Sequence, residues 1–528
     1  MTSPLSRSRP RRATSHIAAR VAHAVLGGLL ATGWLLLPVA RAGADEVAAA
    51  PGQGGTSTAD LVLPLVAVVV AGALAAYSYI RRIRRARTRT TPGGATAHPA
   101  PFAELDRRVR QSLVEIDDCV RTGAEELGWA EAQFGKDAVE TYTAALAFAR
   151  SEMTASFRLR QRLDDTVPDD DLVKRQLLEE IAARCMEAGR RLDAEAAGFD
   201  LLRALERTVP AALESAEARF QELAARTPAA EAALAELHER YPPSASLPVA
   251  GHVEQAKDRL VFATTRLNQA RQVLDRGEGE RASAHLRAAE GAVDQAGLFM
   301  DGVFRLSREL VSAAARLPGA LRDAEAELAA ARGLPAVGAL PGRIAHAASV
   351  VADVRRESAG GGHPYDPLDA LRRVVDAGAP LLAEDRVPVD RPFLDHALLP
   401  ARSVVALASD FVTTHRGAVG AEARTRLSEA ERCLALAPCA LVDVRRADAL
   451  AREAEQLAER DVRAYGNPYA GPESAGVGGA VLGGILLDDT PDAPAASFGG
   501  PRTRGRGGFR GAGNHAVRTG SAMPPPGP

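Results

Sequence analysis

Six arginines lie within nine residues of one another in the first fifth of the chain, and no acidic residue interrupts them. They are Arg81, Arg82, Arg84, Arg85, Arg87 and Arg89. Arginine side chains beside a membrane attract anionic lipid headgroups, by about 1 kcal/mol for each residue near the surface. The sequence therefore predicts that this cluster contacts a membrane surface, with anionic lipid headgroups as its ligand.

An apolar segment directly precedes the arginine cluster and would position it. Residues 61–80 read LVLPLVAVVVAGALAAYSYI and contain no charged side chain. An apolar helix of about 20 residues crosses the ~30 Å hydrocarbon core of a bilayer, and arginines flanking one end hold that end in the cytoplasm. We predict a transmembrane helix at 61–80, a basic juxtamembrane linker at 81–101, and a cell (plasma) membrane protein whose residues 81–528 are cytoplasmic.

The segment 1–44 has the layout of a secretory signal peptide. Five arginines and no acid occupy 1–20, an apolar stretch follows, and small residues surround Ala42 and Ala44 before Asp45. This pattern predicts cleavage after Ala42 or Ala44. The alternative is an uncleaved first membrane helix, because the apolar stretch is long for a signal peptide. In both cases 45–60 is a short extracytoplasmic segment.

Two further groups of polar residues have the chemistry of ligand sites. Asp169, Asp170 and Asp171 could hold a cation, but they follow Pro168 at a predicted helix start, where acidic side chains interact favourably with the helix dipole. We prefer that interpretation. His363 stands alone in a Gly/Pro-rich loop. The sequence therefore predicts no metal site.

The four cysteines also match no zinc-binding spacing. They are Cys119, Cys185, Cys433 and Cys439, and all lie in the predicted cytoplasmic part, where thiols stay reduced. Cys119 and Cys185 fall on apolar helical faces, which predicts that they are core residues.

Residues 504–511 read RGRGGFRG and resemble an RGG-type RNA-binding tract. One short copy is a weak signal, since arginines also keep a Gly-rich tail soluble, and the net charge of −2 gives no general attraction to nucleic acid. Nucleic acid is not an expected partner. No Walker loop, dinucleotide fingerprint, HExxH motif or nucleophile elbow occurs in a supporting context. We therefore predict no catalytic residue and no cofactor.

The rest of the chain predicts an all-α fold, a membrane-anchored bundle of long helices with coiled-coil-like hairpins. Aromatic residues are only 4% of the sequence, and the Ala, Arg and Glu that dominate it favour helix. Apolar residues recur at helical spacing through 102–241, which predicts a first helical bundle there. Pro210 and Pro228 are expected at helix starts. The first apolar stripe consists of Phe102, Leu105, Val109, Leu113, Ile116, Val120 and Leu127.

A second helical region is predicted at 251–465. It contains RLNQARQVL at 266–274 and, 160 residues later, RLSEAERCL at 426–434. This recurrence indicates a duplicated helical hairpin. The remaining segment, 466–528, is rich in Gly, Pro and Ala and is predicted to be a disordered tail. Its apolar stretch 477–487 is too short to span a bilayer, and is expected to dock on the bundle or touch the membrane surface.

Several separated segments resemble the cytoplasmic part of actinobacterial TPM-domain membrane proteins. They read FAELDRRVRQSLVEIDD, EELGWAEAQFG, LAFARSEMTASFRLRQRLDD, LLEEIAARCMEAGRRLDAEA and RGAVGAEARTRLSEAERCLALA. The resemblance implies a signal peptide, an extracytoplasmic TPM domain, a membrane helix, a helical region and a glycine-rich tail. Only 45–60 lies where the TPM domain would be, which is too short for a domain. The phosphatase or metal-dependent activity that the family label implies therefore has no residues here to carry it.

Three functions follow as hypotheses. The favoured one is a non-catalytic, membrane-anchored cytoplasmic helical scaffold or interaction protein. The alternative is an accessory subunit of a TPM-domain or other cell-envelope enzyme complex. An enzyme is the third, and it requires a convergent polar cluster that the sequence does not show. For the first two, a protein partner or self-association is expected.

Overall fold

The described part of the chain is built from helices, and it contains no strand. A computed structural model describes residues 102–165, 170–335, 338–360, 364–381, 391–436, 440–465 and 497–504. All of them belong to one compact unit that spans Pro99–Pro528. The prediction of an all-α fold is confirmed.

Four long helices form the N-terminal region: α1 (Phe102–Phe134), α2 (Lys136–Asp165), α3 (Asp171–Arg203) and α4 (Leu205–Arg240). The predicted stripe on α1 is buried from Val109 to Leu127, while Phe102 at its start is 42% exposed. Helices α1, α2 and α3 pack around one apolar cluster. The 3.6-residue period of the sequence is the reason, because it places every apolar side chain of the stripe on the same face.

The aspartates before α3 act as helix-capping residues. Asp170 is the N-cap, and its carboxylate accepts a hydrogen bond from the backbone N–H of Leu172 at 2.8 Å. Asp171 lies in the first turn, where its charge favours the helix dipole. The capping interpretation is confirmed for these two residues, whereas Asp169 lies outside the described residues.

The expectation that Pro210 and Pro228 begin helices is wrong. Both lie inside α4, which runs unbroken from Leu205 to Arg240. The break between α3 and α4 falls instead at Ala204, which adopts a left-handed conformation with φ +37°. A proline inside a helix removes one backbone hydrogen bond, and in α4 packing against α6 and α7 compensates for that loss.

The second region begins after Tyr241, which ends α4 as predicted. Its elements are α5 (Pro243–Ser246), a 3₁₀ turn (Leu247–Val249), α6 (His252–Asp275), α7 (Gly279–Arg332), α8 (Leu340–Ala359), α9 (Pro367–Gly378), a 3₁₀ turn (Ala379–Leu381), α10 (Arg391–Thr414), α11 (Ala421–Ala435) and α12 (Leu441–Tyr465).

Helix α7 is the central helix of this unit, on which several other helices pack. It has 54 residues, which corresponds to a length of about 80 Å. Helices α4, α6, α8, α9 and α10 all pack against it. The apolar cluster around α7 includes residues of α4, and α11 packs on α1 and α2. The packing of these helices therefore joins residues on both sides of the domain boundary that was predicted near 241–251.

The two predicted hairpins both form. Residues 266–274 lie in α6, which pairs with α7, and residues 426–434 lie in α11, which pairs with α12. Equivalent positions have similar burial: Leu267 is 4% exposed and Leu427 is 1% exposed, while Ala270 and Ala430 are fully buried. The matching burial agrees with a duplicated hairpin, which stays a prediction.

The prediction of a disordered tail at 466–528 is wrong for one segment. Residues 497–504 are ordered, end in a short helix α13 (Pro501–Arg504), and bury Phe498 completely. The prediction rested on the average composition of a long Gly/Pro-rich tail. That average does not show that one aromatic residue fits a groove formed by other helices. The remaining tail residues, including 477–487, lie outside the described residues.

The predicted signal peptide, the extracytoplasmic segment, the span at 61–80 and the arginine cluster at 81–89 all lie outside the described residues. Of the helices that are described, none contains an apolar stretch long enough to cross a membrane.

Pro228 provides a test of the α4 assignment, because it is exposed in the middle of the helix. We expect Pro228→Ala to raise the free energy of unfolding by about 1–2 kcal/mol. Proline is about 3 kcal/mol less favourable than alanine in a helix interior, and part of that gain is offset because the unfolded chain becomes less restricted. Thermal or denaturant unfolding measures the change.

Pro243→Ala is the matched control, since Pro243 is equally exposed but stands at the start of α5, where proline is well tolerated. We expect no gain from that substitution. A helix break at Pro228 would reverse the expectation, and Pro228→Ala would then give no stabilisation either.

Candidate functional site

The most distinctive surface of the described unit is a groove on α1, α2 and α3 that holds residues 497–504. Phe498 is its anchor and is 0% exposed. Its ring stacks on Phe199 with centroids 4.6 Å apart, and its edge meets Tyr142 at 5.9 Å. Aromatic pairs in these geometries stabilise beyond the burial of area alone, by about 0.5–1.5 kcal/mol each. The pocket is thus an aromatic box that one phenylalanine fills.

Glycines on both sides allow the segment to approach the helix backbone. A Cβ added at Gly189 of α3 would lie 2.8 Å from Cδ of Pro501, and one added at Gly500 would overlap the carbonyl oxygen of Gly189. Gly499 has φ +153°, a conformation that disfavours other residues. The segment therefore contacts α3 through backbone at a point where no side chain fits.

Polar contacts hold the two ends of the segment. Asp193 accepts hydrogen bonds from the backbone N–H of Thr503 at 3.0 Å and from its hydroxyl at 2.8 Å. The hydroxyl of Ser497 donates to the Asp200 carboxylate at 3.0 Å. Contacts at Gly189, Asp193 and Asp200 recur at helical spacing, so one face of α3 binds the whole segment.

Buried ion pairs fix α1, which forms one wall of the groove. The Arg424 guanidinium of α11 is 1% exposed and contacts both Asp117 and Asp118 of α1, the latter at 2.7 Å. Its remaining N–H groups donate to the backbone carbonyls of Arg416 and Val419. Each of the three guanidinium nitrogens therefore donates at least one hydrogen bond, as a buried charge requires.

The electrostatics of this pair favour the charged forms. Burial opposes ionisation of Asp117, but the nearby Arg121 and Arg424 outweigh it and hold the pKa of that carboxyl below its usual range. Burial also disfavours the Arg424 cation, but Asp118 and Asp117 raise its pKa. Arg416 adds a second link to α1 through a bidentate contact with Glu125 at 2.9 and 3.0 Å.

A cavity of about 660 Å³ opens beside these ion pairs. Asp294 lines it, accepts a hydrogen bond from Trp129 Nε1 at 2.8 Å and lies 3.3 Å from Arg219. Burial raises the pKa of Asp294 to about 7, although Arg219 and the Trp129 hydrogen bond oppose the shift. Two ion pairs lie within the cavity lining, Arg121 with Asp117 and Arg219 with Asp294.

The sequence-predicted site residues have different outcomes. Cys119 and Cys185 are buried in the core, as predicted, and burial raises the pKa of Cys185 to about 11, so it remains a neutral thiol. Cys433 is also buried. Cys439, His363 and residues 505–511 lie outside the described residues. Within the part of the chain that the structure describes, no three His, Cys, Asp or Glu side chains cluster in a way that could hold a metal ion.

Sequence reasoning missed both the groove and the buried ion pairs. Asp117 stands between the buried residues Ile116 and Cys119, so an acid on an apolar face was the available signal. Its partner Arg424 is 307 positions away in sequence, and no local pattern encodes that pairing.

Two curated relatives match about three quarters of this chain. They are UPF0603 protein MT2410 and UPF0603 protein Rv2345, both from Mycobacterium tuberculosis, and each is 32% identical over 413 residues. The match covers 74% of this chain and 62% of each relative, so the chain spans less than two thirds of their length. Their names state no activity or partner. No family model and no solved structure matches the chain.

The buried pair predicts a large effect of Arg424→Ala on stability. We expect a loss of about 3–5 kcal/mol, because the substitution removes the buried cation shared by Asp117 and Asp118 and leaves Asp117 with Arg121 alone. Arg463→Ala removes a partner of Glu459 from an exposed pair on α12 and should change stability by less than about 1 kcal/mol. Denaturant unfolding of both variants measures the difference, and equal losses would contradict the structural role of Arg424.

Proposed function

We propose that this protein is a non-catalytic, membrane-anchored helical scaffold whose body binds short Gly/Pro-containing segments. The proposal is based on the binding of residues 497–504 in the groove of α1, α2 and α3. An aromatic anchor, a close backbone approach and polar contacts at both ends are the features of a peptide-recognition site.

The groove is filled by the protein's own chain, and this sets the condition for binding a partner. Residues 466–496 connect α12 to the docked segment, so docking within the chain is an intramolecular event with a high effective concentration. A partner segment must compete with that advantage. We therefore propose that the scaffold holds its tail in the resting state and exchanges it for a segment with the same anchors.

The membrane part of the proposal rests on sequence. The apolar run 61–80 and the arginines at 81–89 support a single pass with the helical body on the cytoplasmic side and anionic headgroups against the arginines. The resemblance to TPM-domain membrane proteins supports the same arrangement.

An accessory-subunit role is the second candidate. The relatives that share the helical body are longer than the matched part, since the match covers 62% of each. A longer relative of this type, or another envelope enzyme, would be the partner in a complex to which this chain contributes its helical body.

Gly500→Ala in the full-length chain tests the groove. We expect the substitution to release residues 497–504, because the added methyl group would overlap the carbonyl oxygen of Gly189. A fluorescent peptide with the wild-type sequence of 495–506 should then bind the vacated groove of the variant and bind the wild-type chain far more weakly. Fluorescence anisotropy measures the binding.

Gly128→Ala is the matched control, since a Cβ at Gly128 of α1 meets no atom within 4 Å. It should leave the tail docked and peptide binding weak. A peptide carrying the Gly500→Ala change should bind neither protein. Equal binding of the wild-type peptide to Gly500→Ala and Gly128→Ala would contradict the proposed docking site.

Crosslinking in native membranes tests the anchor and separates the two candidates. We expect the chain in the membrane fraction after alkaline extraction, since an apolar span of about 20 residues is held by the bilayer core. Recovery of a longer relative or one envelope enzyme with a C-terminally tagged chain would support the accessory role. Recovery of the chain with itself would favour the scaffold, and a chain in the soluble fraction would overturn both.

A further inference from the structure

We propose that residues 505–511, GRGGFRG, occupy the continuation of the same groove, with Phe509 as a second anchor. This inference rests on the proposed function, because it extends the docking of residues 497–504. In this proposal, the arginine–glycine tract binds a surface of its own chain.

The docked segment ends beside the continuation of the groove. As the chain advances from Ser497 to Pro501, its contacts on α3 move back from Asp200 to Gly189. The segment runs antiparallel to α3 as far as Pro501; α13 then turns, and Thr503 contacts Asp193. The cleft that Pro501 and Arg502 line extends from this turn along the same face of α3 towards Glu179.

An open cleft of about 540 Å³ begins at that point. Pro501 and Arg502 form its near end, and α1 and α3 form its walls. Its apolar lining includes Leu105, Val109, Ala182, Cys185 and Met186. Met186 is 57% exposed, although it lies beside the core of the bundle. Exposed apolar surface in a cleft is typical of a binding site.

The charges of the cleft complement those of the tract. Glu115 and Glu179 line the cleft, and residues 505–511 carry Arg506 and Arg510. Of the three arginines that line it, Arg502 belongs to the docked segment, and the other two have carboxylate partners on their own helices: Arg108 pairs with Glu104, and Arg190 pairs with Glu187. The lining carboxylate of Asp193 already accepts hydrogen bonds from Thr503. The two glutamates are therefore the charges that the tract's arginines would meet.

The distances allow Phe509 to reach the apolar lining. Phe509 lies five residues beyond Arg504, which gives an extended reach of about 17 Å. Ala182 lies seven residues before Gly189 on α3, a distance of about 10 Å along the helix. Phe509 is the single Phe, Tyr or Trp in 505–528, and like Phe498 it adjoins a pair of glycines. The tract thus repeats the anchor chemistry of the docked segment.

Oxidative footprinting of the full-length chain in detergent micelles tests the inference. We expect Met186 to oxidise several-fold faster in Phe509→Ala than in the wild-type chain, because the ring would cover its thioether. Val517→Ala alters the same tail outside the tract and should leave the rate unchanged. Met300, which is 0% exposed, is the internal reference for folding. Mass spectrometry measures the oxidation of each methionine.

Hydrogen exchange at Thr503 separates this inference from the proposed function. Its N–H is bonded to Asp193, so it should be protected in both the wild-type chain and Phe509→Ala. Protection of Thr503 with an unchanged Met186 rate in Phe509→Ala would overturn the inference alone. An unprotected Thr503 in the wild-type chain would overturn the proposed function.

Two further outcomes would contradict docking of the tract within one chain. Loss of the Phe509-dependent protection after nuclease treatment would show that the tract binds RNA. Loss of that protection on dilution of the protein would show that a second copy supplies the tract. Protection that persists in both conditions supports docking within one chain.

Discussion

One buried guanidinium joins the two ends of the helical body. Arg424 reaches from α11 into α1, where Asp117 and Asp118 neutralise it and two backbone carbonyls complete its hydrogen bonds. A buried charge of this kind is tolerated only when its partners are fixed, so it holds α1 in one position relative to α11. The groove for residues 497–504 depends on that position, because α1 provides Gly123 beneath the Phe498 ring.

The sequence predicts local features of this protein well and distant ones poorly. The apolar stripe on α1 and the aspartate caps before α3 follow from residues within a few turns of one another. Proline was a misleading signal in α4, because packing on α7 overrides the local preference at Pro228.

The candidate site was beyond sequence reasoning for a physical reason. Its parts come from α1, α2, α3 and the tail, and each part is ordinary in its own segment. Gly189 looks like a weak point in a helix, and Phe498 looks like one of a few scattered aromatic residues in a Gly/Pro-rich tail. Only their contact explains both residues: a helical glycine and a tail glycine let two backbones meet, and one ring fills the space beside them.

The contact between Gly500 and the carbonyl oxygen of Gly189 has a consequence for selectivity. Most peptide grooves choose ligands by rewarding a particular side chain. This groove also selects by exclusion, because any residue larger than glycine at that position is rejected by the helix backbone, which has little freedom to move. Any segment that competes for the groove would therefore have to present an aromatic ring followed by an unsubstituted stretch of chain.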